Sequence, residues 1–140
     1  MPSTSSVTPT SAEIEILAVL WERGPSTVRD VYVATGEARG AGYTTTLKLM
    51  QIMAEKRLLT RDTARRTHVY RAGVRQKTTR RGLARNLIER AFGGSAVALA
   101  AEALAGARPS ADEIAELRRM LDAYDAADSD AGAAKRKGSG

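Results

Sequence analysis

The sequence holds no cysteine. That one absence excludes disulfide frameworks, thiolate metal sites and cysteine nucleophiles, and it fits a reducing compartment. Histidine is nearly as scarce. His68 is the only one, and with no carboxylate at ligand spacing it makes no metal site; it reads as a residue of a short strand. No apolar run is long enough to cross a bilayer, and the opening MPSTSSVTPTS has neither the basic segment nor the apolar stretch of a signal peptide. The expectation is a cytoplasmic protein without membrane insertion. Catalytic patterns are missing too: there is no nucleophile–base pairing, no phosphate-cradling loop and no HExxH-like motif. The glycine-rich GEARGAG at residues 36–42 follows a helix rather than a strand, so it is no dinucleotide fingerprint. No catalytic residue, metal or cofactor is expected, and the chain does not read as an enzyme.

What is present is an ordinary globular composition, 43% hydrophobic and 27% charged over 140 residues, enough for one compact domain and an accessory element. The net charge of +6 is unevenly placed. Between Arg23 and Arg90 there are 16 Lys/Arg against 5 Asp/Glu, and the remainder carries 6 against 11. A basic front and an acidic back assign the front to a polyanion and the back to another task.

Along the chain, residues 1–10 are rich in Ser, Thr and Pro and read as disordered, as does a flexible basic tail over 129–140 ending in AKRKGSG. A first helix begins with Ser11 as N-cap and Glu13 and Glu15 in its first turn, and Ile14, Leu17, Val19, Leu20 and Trp21 give it an apolar face. Gly24-Pro25 stops it. Thr27 caps a second helix to about Thr35, with Val28, Val31 and Tyr32 on one face, and GEARGAG forms a loop. A third helix spans about Tyr43 to Lys56 and turns Thr46, Leu49, Met50 and Met53 toward the core. Leu58–Arg61 and Thr67–Arg71 read as two strands joined by a turn near Thr63–Arg66. Three helices followed by a two-stranded hairpin describe a winged helix-turn-helix over residues 11–74.

The rest, 75–128, reads as helical. A basic helix from Arg75 to Phe92 points Leu83, Leu87 and Ile88 inward. Gly93-Gly94 breaks it, Ser95 caps an alanine-rich helix to Ala105, and Gly106–Pro109 breaks the chain again. Ser110 and Glu113 are spaced as a capping box for a last helix, where Ile114, Leu117, Leu121 and Tyr124 recur by threes and fours as a narrow packing seam. With Val97, Leu99 and Leu104 of the preceding helix, these residues make a surface too apolar for water. Self-association about a two-fold axis is its simplest use, and folding back of both helices on their own winged domain is the alternative. The fold class is therefore mostly α with a small β-hairpin: a winged helix-turn-helix followed by a helical dimerisation region.

The third helix has the chemistry of a major-groove reader. Lys48 suits guanine O6 or N7, Thr44 and Thr45 can bond phosphate or offer a methyl to thymine, and Gln51 can pair with adenine. Threonines near a helix start can also serve simply as caps. In the hairpin turn, Arg65, Arg66 and Thr67 can meet the DNA backbone. Arg61 and Arg71 are weaker candidates, while Arg75, Lys77, Arg80 and Arg81 either extend the basic surface or only keep the helix soluble.

Three stretches in order, AEIEILAVLWERGPSTVRDVY, GYTTTLKLMQIMAEKRLLTR and THVYRAG, followed by AFGGS and ADEIAELRRML, resemble the penicillinase-repressor family of winged-helix transcriptional regulators. The resemblance runs from about Ser11 to Tyr124. It implies a homodimeric repressor that binds a double-stranded, pseudo-palindromic operator, responds to antibiotic or cell-wall stress, and is inactivated by a regulatory protease. Four departures stand out. Arg57 occupies the place of a usual Gly after the third helix, which implies a different cap at that helix end, and Ile52 that of a frequent Arg. There is no cysteine-rich tail of the copper-responsive branch, and no Asn-Phe bond in the helix where well-known members are cut. On the residues alone, two alternatives stay open: a non-specific DNA-organising protein, and a winged helix that binds only protein.

Overall fold

The structure, a computed structural model, describes residues 8–36, 40 and 42–138, with side chains described to residue 130. Expectations for residues 1–7 and for most of the GEARGAG loop lie outside the described residues.

Helix α1 spans Ser11–Arg23, and its N-cap is Thr10 rather than Ser11. Position three of the helix decides this. The Glu13 N–H donates to Thr10 Oγ1 at 3.2 Å and the Thr10 N–H donates to Glu13 Oε1 at 2.8 Å, whereas a cap at Ser11 would face Ile14, which has no acceptor. Ile16, Leu17 and Leu20 are the buried residues of its apolar face. Ile14, Val19 and Trp21 are only half-buried, so Ile16 carries packing that the sequence pattern assigned to its neighbours. The Trp21 indole N–H donates to the Val74 carbonyl at 3.0 Å and ties α1 to the chain beyond the wing.

After Gly24, whose φ is 84°, β1 occupies Ser26–Thr27 and pairs antiparallel with β3 (Val69–Ala72) through Ser26↔Tyr70 and Thr27↔Val69. The sheet has three strands in the order β1-β3-β2, with β2 at Leu59–Asp62. The expected hairpin is thus only part of it. Two residues are too few to show alternation, and β1 exists because the extended N-cap Thr27, at φ −82° and ψ 167°, lies against β3. Thr27 and Asp30 form a second capping box, and the hydrogen bond from the Thr27 N–H holds the Asp30 carboxyl below its ordinary range.

Helix α2, Val28–Val31, widens into a π-helical turn over Tyr32–Gly36. That turn seats Gly36 against α3 (Tyr43–Glu55): a Cβ there would lie 2.7 Å from Tyr32 Cδ1 and 2.9 Å from Thr46 Oγ1. Thr46, Met50 and Met53 are buried as their spacing requires, and Leu49 is half-buried. With Ile16, Leu17, Leu20, Val28, Val31, Leu58, Leu59 and Tyr70 they close one core.

The end of α3 is sharply made. The Arg57 N–H donates to Ala54 O at 3.1 Å and the Leu58 N–H to Met53 O at 2.9 Å, the paired bonds of a Schellman cap. The cap is thus of the usual kind, with Arg57 held at φ 67° where glycine would be unstrained. Arg57→Gly should therefore raise stability by about 1 kcal/mol, a few degrees in Tm, read by thermal unfolding. A fall in Tm would show that the arginine side chain outweighs its backbone strain.

One compact unit ends at Leu87 and a second begins at Ile88, inside helix α4 (Gln76–Ala91); the sequence pattern puts the change at 74/75. Gly93 and Gly94, at φ 56° and 82°, separate α4 from α5 (Ala96–Ala107), whose N-cap Ser95 accepts from the Ala98 N–H at 3.0 Å. Helix α5 continues through Gly106, past the expected break, and stops at left-handed Arg108. Ser110 and Glu113 exchange the expected capping bonds, and α6 runs from Ala111 to Gly138. It therefore crosses residues 129–138, expected as tail, where alanine, lysine and arginine are strong helix formers. No described residue of the second unit is buried, and Leu87, expected inward, is exposed.

Candidate nucleic-acid interface

The buried stripe of α3 fixes what its other side can do. With Thr46, Met50 and Met53 in the core, Thr44, Thr45, Lys48 and Gln51 are all exposed, together with Ile52. None of the four polar side chains has a hydrogen bond or ion pair within the described residues. The N-cap is Gly42, which supplies no side-chain acceptor. Thr44 and Thr45 are therefore the second and third residues inside the helix and do not cap it. The Thr45 N–H donates to the Gly42 carbonyl at 3.1 Å; among the described residues the two threonine hydroxyls are left for solvent or a ligand, at the end where the helix dipole favours negative charge.

Tyr43, at the first helical position, is an exposed feature that the sequence pattern does not single out. Its ring meets that of Tyr32 edge to face, with centroids 5.8 Å apart and planes at 75°. This contact, like the seat of Gly36 on Thr46, holds the start of α3 against the π-helical turn that follows α2.

The far end of α3 is anchored by charge. Lys56 Nζ lies 2.9 Å from Glu13 Oε2, with the Glu13 side chain 1% exposed and that of Lys56 39%. Burial pushes the Glu13 carboxyl up. The Thr10 N–H, the Lys56 ammonium and the Thr10 hydroxyl together outweigh that effect and hold it below its ordinary value. The carboxylate thus stays ionised and spans α1 and α3.

Arg65, Arg66 and Thr67 are exposed in the loop between β2 and β3. The Asp62 carboxylate accepts the Ala64 N–H at 2.9 Å and shapes the start of that loop. At the base of the wing, Gly73 N–H donates to Leu58 O at 2.8 Å, and a Cβ at Gly73 would sit 2.8 Å from the Arg57 carbonyl oxygen. Only glycine allows this approach. Arg61 and Arg71 lie exposed on β2 and β3, and His68 is exposed just before β3. Among the described residues no three His, Cys, Asp or Glu side chains cluster as a metal site would need, and no helix is long and apolar enough to cross a membrane.

In the second unit, Val97 is 79% exposed and Tyr124 73%, and Leu104, Leu117 and Leu121 are exposed as well; Leu99 and Ile114 are half-buried. Met120, also exposed, extends the α6 stripe by one residue beyond the expected seam.

No curated protein matches this chain. The profile of the penicillinase repressor family matches residues 9–123, a span that contains α1 to α5 and the apolar stripe of α6 as far as Leu121. The chain belongs to the penicillinase repressor family, and it is a winged-helix DNA-binding protein of transcriptional repression.

Proposed function

We propose that this chain acts as a homodimer that represses transcription by sequence-specific binding to a pseudo-palindromic operator. The observation that carries this reading is the outward face of α3, where Thr44, Thr45, Lys48 and Gln51 stand exposed with no partner among the described residues. Such side chains on a helix that fits the major groove can reach base edges. The exposed apolar residues of α5 and α6 supply the dimer contact, so two α3 helices enter successive major grooves about 34 Å apart. Relief of repression under antibiotic or cell-wall stress, through a regulatory protease, completes the reading. The bond cut is not Asn-Phe, since Asn86 precedes Leu87 and no such pair occurs.

Fluorescence anisotropy on the protein's own promoter region tests specificity. A preference of at least about 10³-fold over scrambled duplex at physiological salt is expected. Equal affinity for both would leave a DNA-organising protein instead. Arg66→Ala should weaken operator and scrambled duplex by the same factor and lower the slope of log K against log salt by about 1, as loss of one phosphate contact requires. An effect confined to the operator would place Arg66 on a base rather than the backbone.

A further inference from the structure

The first ten residues of α4, Gln76 to Arg85, carry charges that their own helix disfavours. Lys77, Arg81 and Arg85 follow one another at four-residue spacing, with Arg80 beside them, and all four are exposed. Like charges at that spacing repel. Cations near a helix start also oppose the dipole, and the first turn of α4 holds no acidic residue to offset them. From Thr63 to Ile88 the chain has eight Lys/Arg and no Asp or Glu, and no ion pair neutralises the α4 cations among the described residues. A helix selected only for solubility would mix signs, because each opposite-charge pair adds stability.

A second cost lies on the same helix. Gly82 sits in the helix interior beside Arg81 with nothing within 4 Å of the position a Cβ would take. Glycine there weakens the helix relative to alanine, and no packing among the described residues explains it. It leaves the backbone open to close approach from outside. The half-buried residues Gln76, Thr79, Leu83 and Asn86 recur on one side of the helix, and the cations form an exposed stripe about 12 Å long, from Lys77 to Arg85, on the opposite side. The start of α4 is also fixed in place, since the bond from Trp21 to the Val74 carbonyl lies two residues before it.

We propose that this stripe, Lys77, Arg80, Arg81 and Arg85, is a second duplex-binding surface that takes DNA phosphates outside the stretch read by α3. Duplex DNA is the occupant because the anion-free run joins the stripe without interruption to the wing arginines Arg65 and Arg66. To that extent the inference rests on the DNA-binding reading above. It does not need the operator preference: phosphate contacts carry no sequence information and act on any duplex. Counterion release from four phosphates repays the helix for its repulsions.

The test uses the full chain with Lys77, Arg80, Arg81 and Arg85 all changed to Gln. Affinity is measured by anisotropy across a salt series, on a duplex limited to the operator and on one extended by about two helical turns. The variant should bind the extended duplex at least tenfold more weakly than wild type at low salt. Its slope of log K against log salt should be shallower by about 3.6, operator and scrambled sequence should lose equally, and the operator-length duplex should be affected far less. Replacement of the three arginines by lysine should restore most of the affinity. Thermal unfolding of the Gln variant should show an unchanged or higher Tm, which separates lost contacts from lost fold. An unchanged slope on the extended duplex overturns the inference, as does a loss seen with single-stranded RNA or an acidic polypeptide but not with duplex. Failure of wild type to prefer its operator would overturn the repressor reading alone, because the slope on scrambled duplex still decides this one.

Discussion

Replacing Lys48 with alanine is expected to weaken operator binding by about 1–3 kcal/mol, roughly 5- to 150-fold in affinity, and to relax the choice of base at one position of each half-site. Three features place the loss there. Lys48 lies on the outward side of α3, one turn beyond Thr44 and Thr45, where a side chain reaches base edges in the major-groove docking proposed above. It has no acidic partner among the described residues, so its charge is available to the groove. And Ile52, one turn further on and exposed, supplies no charge where the family resemblance places an arginine, which leaves Lys48 the only cation on the outward face of α3. The exposed position makes the substitution harmless to the fold, and alanine is the better helix former. Affinities for the operator and for a set of single base-pair variants of it would be measured, each across a salt series. If Lys48 reads a base, wild-type discrimination collapses at one position and persists at the others. If every duplex weakens equally and the salt slope drops by about 1, Lys48 holds a phosphate and base reading passes to Thr45 and Gln51.

That assignment was accessible from sequence because the periodicity of α3 is unambiguous: once Thr46, Met50 and Met53 claim the core, the outward residues follow by geometry. Local signals were legible elsewhere for the same reason. Ser95, Thr27 and Ser110 cap helices where short-range hydrogen bonding dictates. What pattern could not show depends on partners far apart in the chain. The strand Ser26–Thr27 is defined by Val69 and Tyr70, and two residues have no period of their own. Glu13 was legible as a first-turn acid suited to the helix dipole. Its second role, receiving Lys56 from 43 residues away, has no local signature. Arg57 is a different case: its place after α3 marked a departure, but only the backbone reveals that the Schellman cap forms regardless, with the strain borne by an arginine. The α4 cations were visible from the start. Their purpose became arguable only once the helix start, the open space around Gly82 and the lack of acidic partners were known together.

Glu13→Ala should cost about 2–3 kcal/mol at neutral pH, the largest stability loss expected from any polar residue of the winged helix. The side chain does two things at once. It accepts the Thr10 N–H to complete the cap of α1, and it holds Lys56, at the end of α3, from an almost fully buried position. Removing it leaves a helix-start donor unpaired and a cavity beneath the ammonium. The cost stays below that of a fully buried broken pair, because Lys56 is 39% exposed and can turn to water. Glu13→Gln is the sharper probe: it keeps the shape and an oxygen for Thr10 but turns an uncharged amide toward Lys56, so it should lose less than alanine. The two chemistries separate by pH. The folded-state carboxyl lies below its ordinary value of 4.5, so its ionised form contributes stability that is fully present above that value and is lost as pH falls through the folded-state value. The stability gap between wild type and Glu13→Gln, from urea unfolding, should therefore be constant from pH 7 down to about 5 and should shrink below that. A gap that holds its size down to the most acidic pH at which both proteins fold would show that the anchor between α1 and α3 is the shape of the side chain and not its charge.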